Sequence, residues 1–127
     1  MSDTPDKGMF MLNYIFNVDS IEKGPDLKYF GFTYLITNLT NGRMYVGKKQ
    51  YWKYAKRKQQ KESDWKVYQS SSKYVKEDIV LHGVKSFEFR ILKNYKTRGG
   101  LVYGEANTQH KRDVLVKRLN KNLRLYY

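Results

Sequence analysis

Tyr34 and Tyr45 stand eleven residues apart on two short apolar runs, Phe32–Asn38 and Arg43–Gly47. A tyrosine hydroxyl both donates and accepts hydrogen bonds, so such a pair can orient a water against a phosphate or act as a general base. Serving as a base near neutrality means lowering a phenol's pKa by about three units, or about 4 kcal/mol of differential stabilisation. Lys48, Lys49 and Arg57 are the nearest cations that could supply it. They belong to a longer basic segment, with Lys53, Lys56, Lys58 and Lys61, that contains no acid. Such a segment favours a bound anion, and a guanidinium such as that of Arg57 grips phosphate oxygens bidentately. Glu105 follows sixty residues after the second tyrosine, among the small and apolar residues of Leu101–Ala106. A carboxylate there can hold Mg²⁺ or Mn²⁺. Such an ion polarises a phosphate oxygen and stabilises a leaving oxygen. Each element also has a plainer reading. Strand tyrosines pack, lysine-rich faces are solvated, and most helix glutamates lie at the surface.

Composition narrows the choice. The chain has 127 residues, a net charge of +13, about 40% hydrophobic residues and no cysteine. That is one domain with one modest core. Disulfides, thiolate zinc sites and cysteine nucleophiles are excluded, which suits a reducing cytoplasm. A surplus of cations this large points to a polyanion, with nucleic acid ahead of an anionic membrane surface. The one long apolar run, Met9–Phe16, is too short to span a bilayer and reads as a strand, a packed arm or a dimer contact. His82 and His110 show no zinc-ligand spacing.

The elements that must position these residues follow from pattern. Tyr29–Asn38 and Arg43–Lys48 read as strands joined at Asn41-Gly42, whose residues tolerate the positive φ of a type I′ turn. Gly47 then lets the backbone turn or approach a ligand closely. Gln50–Gln60 has helix-favouring composition without Gly or Pro, which would place Lys49, Lys53, Lys56 and Arg57 on one face. Ser70 to Ser72 offer N-caps to a second helix, with Tyr74, Val75, Ile79 and Val80 on one side and Gly83 as C-cap. Phe87, Phe89 and Ile91 alternate in a third strand, about Ser86–Tyr95. Thr97 caps a last helix running to about Val116, weakened by Gly99, Gly100 and Gly104. The order is β-β-α-α-β-α: an α+β domain with a small three-stranded antiparallel sheet. Residues 1–28 read as arm and linker, 29–118 as the domain, and 119–127 as a basic aromatic tail.

The joint pattern resembles the GIY-YIG endonuclease family. Phe32-Thr33-Tyr34 stands for the first motif, with the usual glycine and isoleucine replaced, and Tyr45-Val46-Gly47 for the second. Glu62-Ser63-Asp64-Trp65, Tyr68, Ser70-Ser71-Ser72-Lys73 and Tyr103-Gly104-Glu105-Ala106 look like the phage-encoded, Seg-type homing branch. The resemblance implies a Mg²⁺- or Mn²⁺-dependent nuclease acting on double-stranded DNA in the host cytoplasm, alone, as a homodimer or with a specificity partner. It implies catalysis by Tyr34, Tyr45, Arg57 and Glu105, with Glu105 holding the metal. DNA contacts are expected at Gly47, Lys48, Lys49, Lys53, Lys56, Lys61 and Lys73. The family's helical histidine has Lys61 in its place. Two alternatives stay open: a nucleic-acid-binding module without cleavage, and a basic structural or assembly protein.

Overall fold

The computed structural model describes residues 25–127 apart from Gln69 and Asn122. The Met9–Phe16 run and most of the expected linker lie outside the described residues. Three strands form the central antiparallel sheet: β1 (Gly31–Asn38), β2 (Met44–Gln50) and β5 (Phe87–Tyr95). Their order is β2-β1-β5. In register, Tyr34 faces Gly47 on β2 and Ile91 on β5. A register shift between Thr33 and Tyr34 leaves Leu92 as an extra residue on β5.

Alternation of side chains gives the sheet two faces. Phe32, Tyr34, Ile36, Phe89 and Ile91 point to one of them, where helix α1 (Lys73–His82) contributes Val75 and Ile79 to the main core. Ser72 caps α1 by accepting from the Val75 amide, and Gly83 ends it with φ 88°. Tyr74 and Val80, expected on the buried side, are 63% and 86% exposed. The buried stripe is therefore the single i,i+4 pair Val75 and Ile79. Helix α2 (Arg98–Lys111) covers the other face. A Cβ at Gly31 would stand 2.8 Å from Leu101 Cδ2, so the bare backbone there lets α2 settle onto β1. Gly104 serves the same contact, because the Tyr95 ring occupies the space of its missing side chain. The glycine that weakens α2 as an isolated helix thus fits it to the sheet. Thr97 caps α2 as expected, accepting from the Gly100 amide at 2.9 Å.

The structure departs from expectation in two places. The loop joining β1 and β2 holds five residues, with Gly42 N–H donating to the Asn38 carbonyl at 2.7 Å. Only Gly42 takes positive φ there (81°). Asn41 instead accepts from the Arg43 amide through its side chain, at 2.9 Å. The larger correction concerns Gln50–Gln60, which is not helical. It forms most of an antiparallel ribbon of β3 (Trp52–Ala55) and β4 (Lys58–Glu62). Trp52 and Tyr54 alternate with exposed Lys53 and Ala55. Tyr54 rests on Phe30 at 5.3 Å between ring centroids, and Trp52 Nε1–H donates to the Leu27 carbonyl at 3.0 Å. A period of two in aromatic residues outweighed the helical propensity of lysine and glutamine.

Beyond α2, β6 (Arg118–Asn120) and β7 (Leu123–Arg124) make a small hairpin. The chain then returns to the start of β2. Met44 N–H donates to the Leu125 carbonyl and Tyr127 N–H to the Met44 carbonyl. Tyr126 is buried beside Leu35 and Val46. Among the described residues, no helix is long and apolar enough to cross a membrane.

Candidate active site

The two tyrosines meet on the α1 face of the sheet. Their ring centroids lie 6.2 Å apart, and Tyr68 stands edge-on to Tyr34 at 6.1 Å. Tyr34 is fully buried. Burial pushes its phenol far above the usual range, and the neighbouring Tyr68 adds to the shift. The space a side chain on Gly47 would need is taken by the chain itself: a Cβ there would collide with the Tyr34 phenol and stand 2.9 Å from Tyr45 Cε2. Tyr45 is only half-buried, and its hydroxyl shares a 3.1 Å hydrogen bond with Ser71 Oγ. Of the two phenols, Tyr45 is the one at the surface.

Glu105 reaches β2 from the other face. Its Oε1 accepts from Lys48 Nζ at 3.0 Å, and its side chain is 19% exposed. Lys48 pairs in register with Thr33, and Tyr34 pairs with Gly47, so the carboxylate and the phenols attach to opposite sides of the sheet. β2 is an outer strand, and an open cleft of about 590 Å³ runs along its edge. None of Tyr34, Tyr45 and Glu105 is itself among the residues lining the cleft. Ser71, Tyr68 and Lys49 line it from the tyrosine side, and Leu101, Val102 and Arg98 from α2, with Lys48 among them. Lys49 Nζ sits 4.0 Å over the Tyr68 ring and 2.6 Å from Asp64 Oδ1. That bond from Lys49 lowers the pKa of the Asp64 carboxyl.

The remaining expected residues divide between cleft and ribbon. Lys53 lines the cleft from β3. Lys61 lies opposite it on β4. Lys56 and Arg57 form the exposed loop of the ribbon, so Arg57 is not on a helix and is not among the residues lining the cleft. Lys73 opens α1, its ammonium 5.8 Å from the Tyr74 ring centroid. Arg98 is the cation that sequence reasoning missed. Its signal was available, since Arg98, Leu101 or Val102, and Glu105 follow the i, i+3/i+4, i+7 spacing of one helical face.

Among the described residues, no group of three or more acidic, histidine or cysteine side chains could enclose a metal. A single carboxylate still fits a hard divalent ion that keeps several waters and takes further oxygens from a phosphate. Lys48 occupies only one of the two Glu105 oxygens, so the donor chemistry is compatible with such an ion.

A three-stranded antiparallel sheet between two helices, with a phenol pair on β1 and β2 and a glutamate on the last helix, is a mixed α+β framework of the GIY-YIG type. A family model described as the GIY-YIG domain of putative endonuclease segE matches residues 14–127, and the chain belongs to this family. No curated protein and no solved structure matches it.

Proposed function

We propose that this domain is an endonuclease that hydrolyses phosphodiester bonds of double-stranded DNA at the β2 edge, with one divalent ion held by Glu105. The observation that carries the reading is the shared cleft. Its wall includes both Ser71, which holds the Tyr45 hydroxyl, and Lys48, which holds Glu105. The family supports nuclease activity in general. Mg²⁺ or Mn²⁺ as the ion, a phage homing role and a cytoplasmic setting are finer parts of the same proposal.

The residues then act as follows. Lys48, Lys49 and Arg98 draw the DNA backbone into the cleft and offset the charge that builds on the phosphate. Tyr45, oriented by Ser71, positions the attacking water. Tyr34 cannot ionise readily in its buried setting. Its part is to fix the Tyr45 ring and the β2 backbone at Gly47. Glu105, with one oxygen unclaimed by Lys48, is the residue that would hold the ion. The ion supplies Lewis-acid polarisation of the phosphate and stabilisation of the leaving oxygen.

The Lys48–Glu105 ion pair favours one second reading, a DNA-binding module whose carboxylate stays neutralised by lysine. Supercoiled plasmid incubated with protein and Mg²⁺, then with EDTA, separates the two. The nuclease reading expects nicks that stop on chelation. Salt-sensitive binding without nicks would leave only the binding module.

A further inference from the structure

The β3–β4 ribbon breaks two local rules, and both breaks involve cations. Its loop is Lys56-Arg57, closed between the paired residues Ala55 and Lys58. Both loop residues have positive φ, 52° and 67°. A two-residue hairpin of this kind favours Asn-Gly, and other side chains adopt it against a steric penalty. Lys53 stands directly opposite Lys61. Like charges in that position repel. No acid lies between Tyr51 and Lys61 in the sequence, and the Asp64 carboxylate, which acts on Lys53, is already bonded to Lys49. Glu62, at the foot of the ribbon, accepts from Trp65 Nε1–H at 2.7 Å and pairs with Lys66 at 3.6 Å.

A lone two-stranded hairpin is marginal in water, yet this one is firmly rooted. Ser63 Oγ–H donates to the Gln50 carbonyl at 2.6 Å, and Ser63 N–H donates to the Tyr51 carbonyl at 2.8 Å. The Phe30–Tyr54 and Trp52–Leu27 contacts brace the same end. The root thus belongs to the core and cleft, with the opposed Lys53 and Lys61 one residue pair above it, while the backbone strain lies at the exposed tip. Conflicts of this kind persist where function requires them.

We propose that the β3–β4 ribbon is a duplex clamp, extending outward from the catalytic cleft, that lies in the major groove with Lys53, Lys56, Arg57 and Lys61 against phosphates. A two-stranded ribbon fits that groove, and the excess positive charge matches its phosphate walls. Lys53 and Tyr54 line the cleft, so the ribbon begins where the scissile phosphate would lie. Four residues of β3 carry the tip roughly 13 Å further along the DNA. The inference rests on the nuclease reading and adds the element that holds the substrate in register. Arg57 becomes a positioning residue.

The test is the double variant Lys56→Asn/Arg57→Gly, which supplies the residues that the turn prefers. It is expected to unfold at higher urea concentration than the parent. It should bind a short duplex at least tenfold more weakly. Its log–log salt slope should be shallower by about 1.8, for two lost phosphate contacts. In nicking assays the loss falls on KM rather than kcat. Lys53→Gln/Lys61→Gln gives an independent version, relieving the opposed pair and weakening binding. Unchanged affinity and salt slope in both variants, with a parent that binds and nicks DNA, would overturn the clamp and leave the nuclease reading intact. Loss of kcat with binding preserved would also overturn it, by placing Arg57 in the chemistry. A parent protein that neither binds nor nicks duplex DNA would remove both.

Discussion

The phenol of Tyr34 lies where a side chain on Gly47 would have to stand. The two residues are cross-strand partners, so the second motif's glycine is a packing partner of the first motif's tyrosine. Gly47→Ala should therefore push the Tyr34 ring out of a close-packed core, at a cost of about 1–3 kcal/mol. Urea unfolding measures it. A loss below about 0.5 kcal/mol would show that the ring can move aside freely.

Burial separates the two phenols by role. Tyr45→Phe removes the hydroxyl that Ser71 holds at the cleft and should lower kcat by about 100-fold or more. Tyr34→Phe keeps the ring against Tyr45 and should cost less than tenfold. Single-turnover nicking with both variants is the measurement, and a reversed order would contradict the assignment.

Thr33 replaces the usual isoleucine of the first motif. Its Oγ1 is buried with no hydrogen-bond partner among the described residues. An unsatisfied buried hydroxyl is destabilising, so Thr33→Val should raise stability by about 1 kcal/mol and leave nicking unchanged. Chemical denaturation beside the parent tests this.

Tyr127 fastens the chain's last turn to the domain. Its hydroxyl donates to Asp78 Oδ2 at 2.6 Å and accepts from Asn38 Nδ2 at 3.0 Å. Burial, with Asp78 beside it, pushes its pKa up to about 12. The unfolded chain loses this proton near pH 10 and the folded chain keeps it longer, so the folded state binds more protons over that interval. The stabilisation is complete below about pH 10 and is lost as pH rises through about 12. Denaturation midpoints across pH 9 to 12 should fall, and Tyr127→Phe should flatten the fall. An identical slope in the variant would rule out this contribution.

The central sheet was legible because Phe32, Tyr34 and Ile36, and later Phe87, Phe89 and Ile91, alternate at the period of a strand. Both helices on its faces announced their caps, Ser72 and Thr97, by residue type. The ribbon was not legible as a ribbon. Its loop is Lys-Arg where turn chemistry favours Asn-Gly, and lysine and glutamine carry no strand signal. The alternating Trp52 and Tyr54 were the clue that composition masked. The placement of Arg57 failed with that helix. The opposed attachment of Glu105 and the tyrosines was also hidden, because it depends on which side of the sheet α2 settles. The close contacts at Gly31 and Gly104, with the Lys48–Glu105 and Gln109–Val46 bonds, hold it there.

The most direct test compares the parent with Glu105→Gln on supercoiled DNA at saturating Mg²⁺, with circular dichroism to verify that both are folded. The account predicts nicking slowed by at least 100-fold in the variant while duplex binding survives. A Glu105→Gln protein that nicks at the parental rate would contradict it.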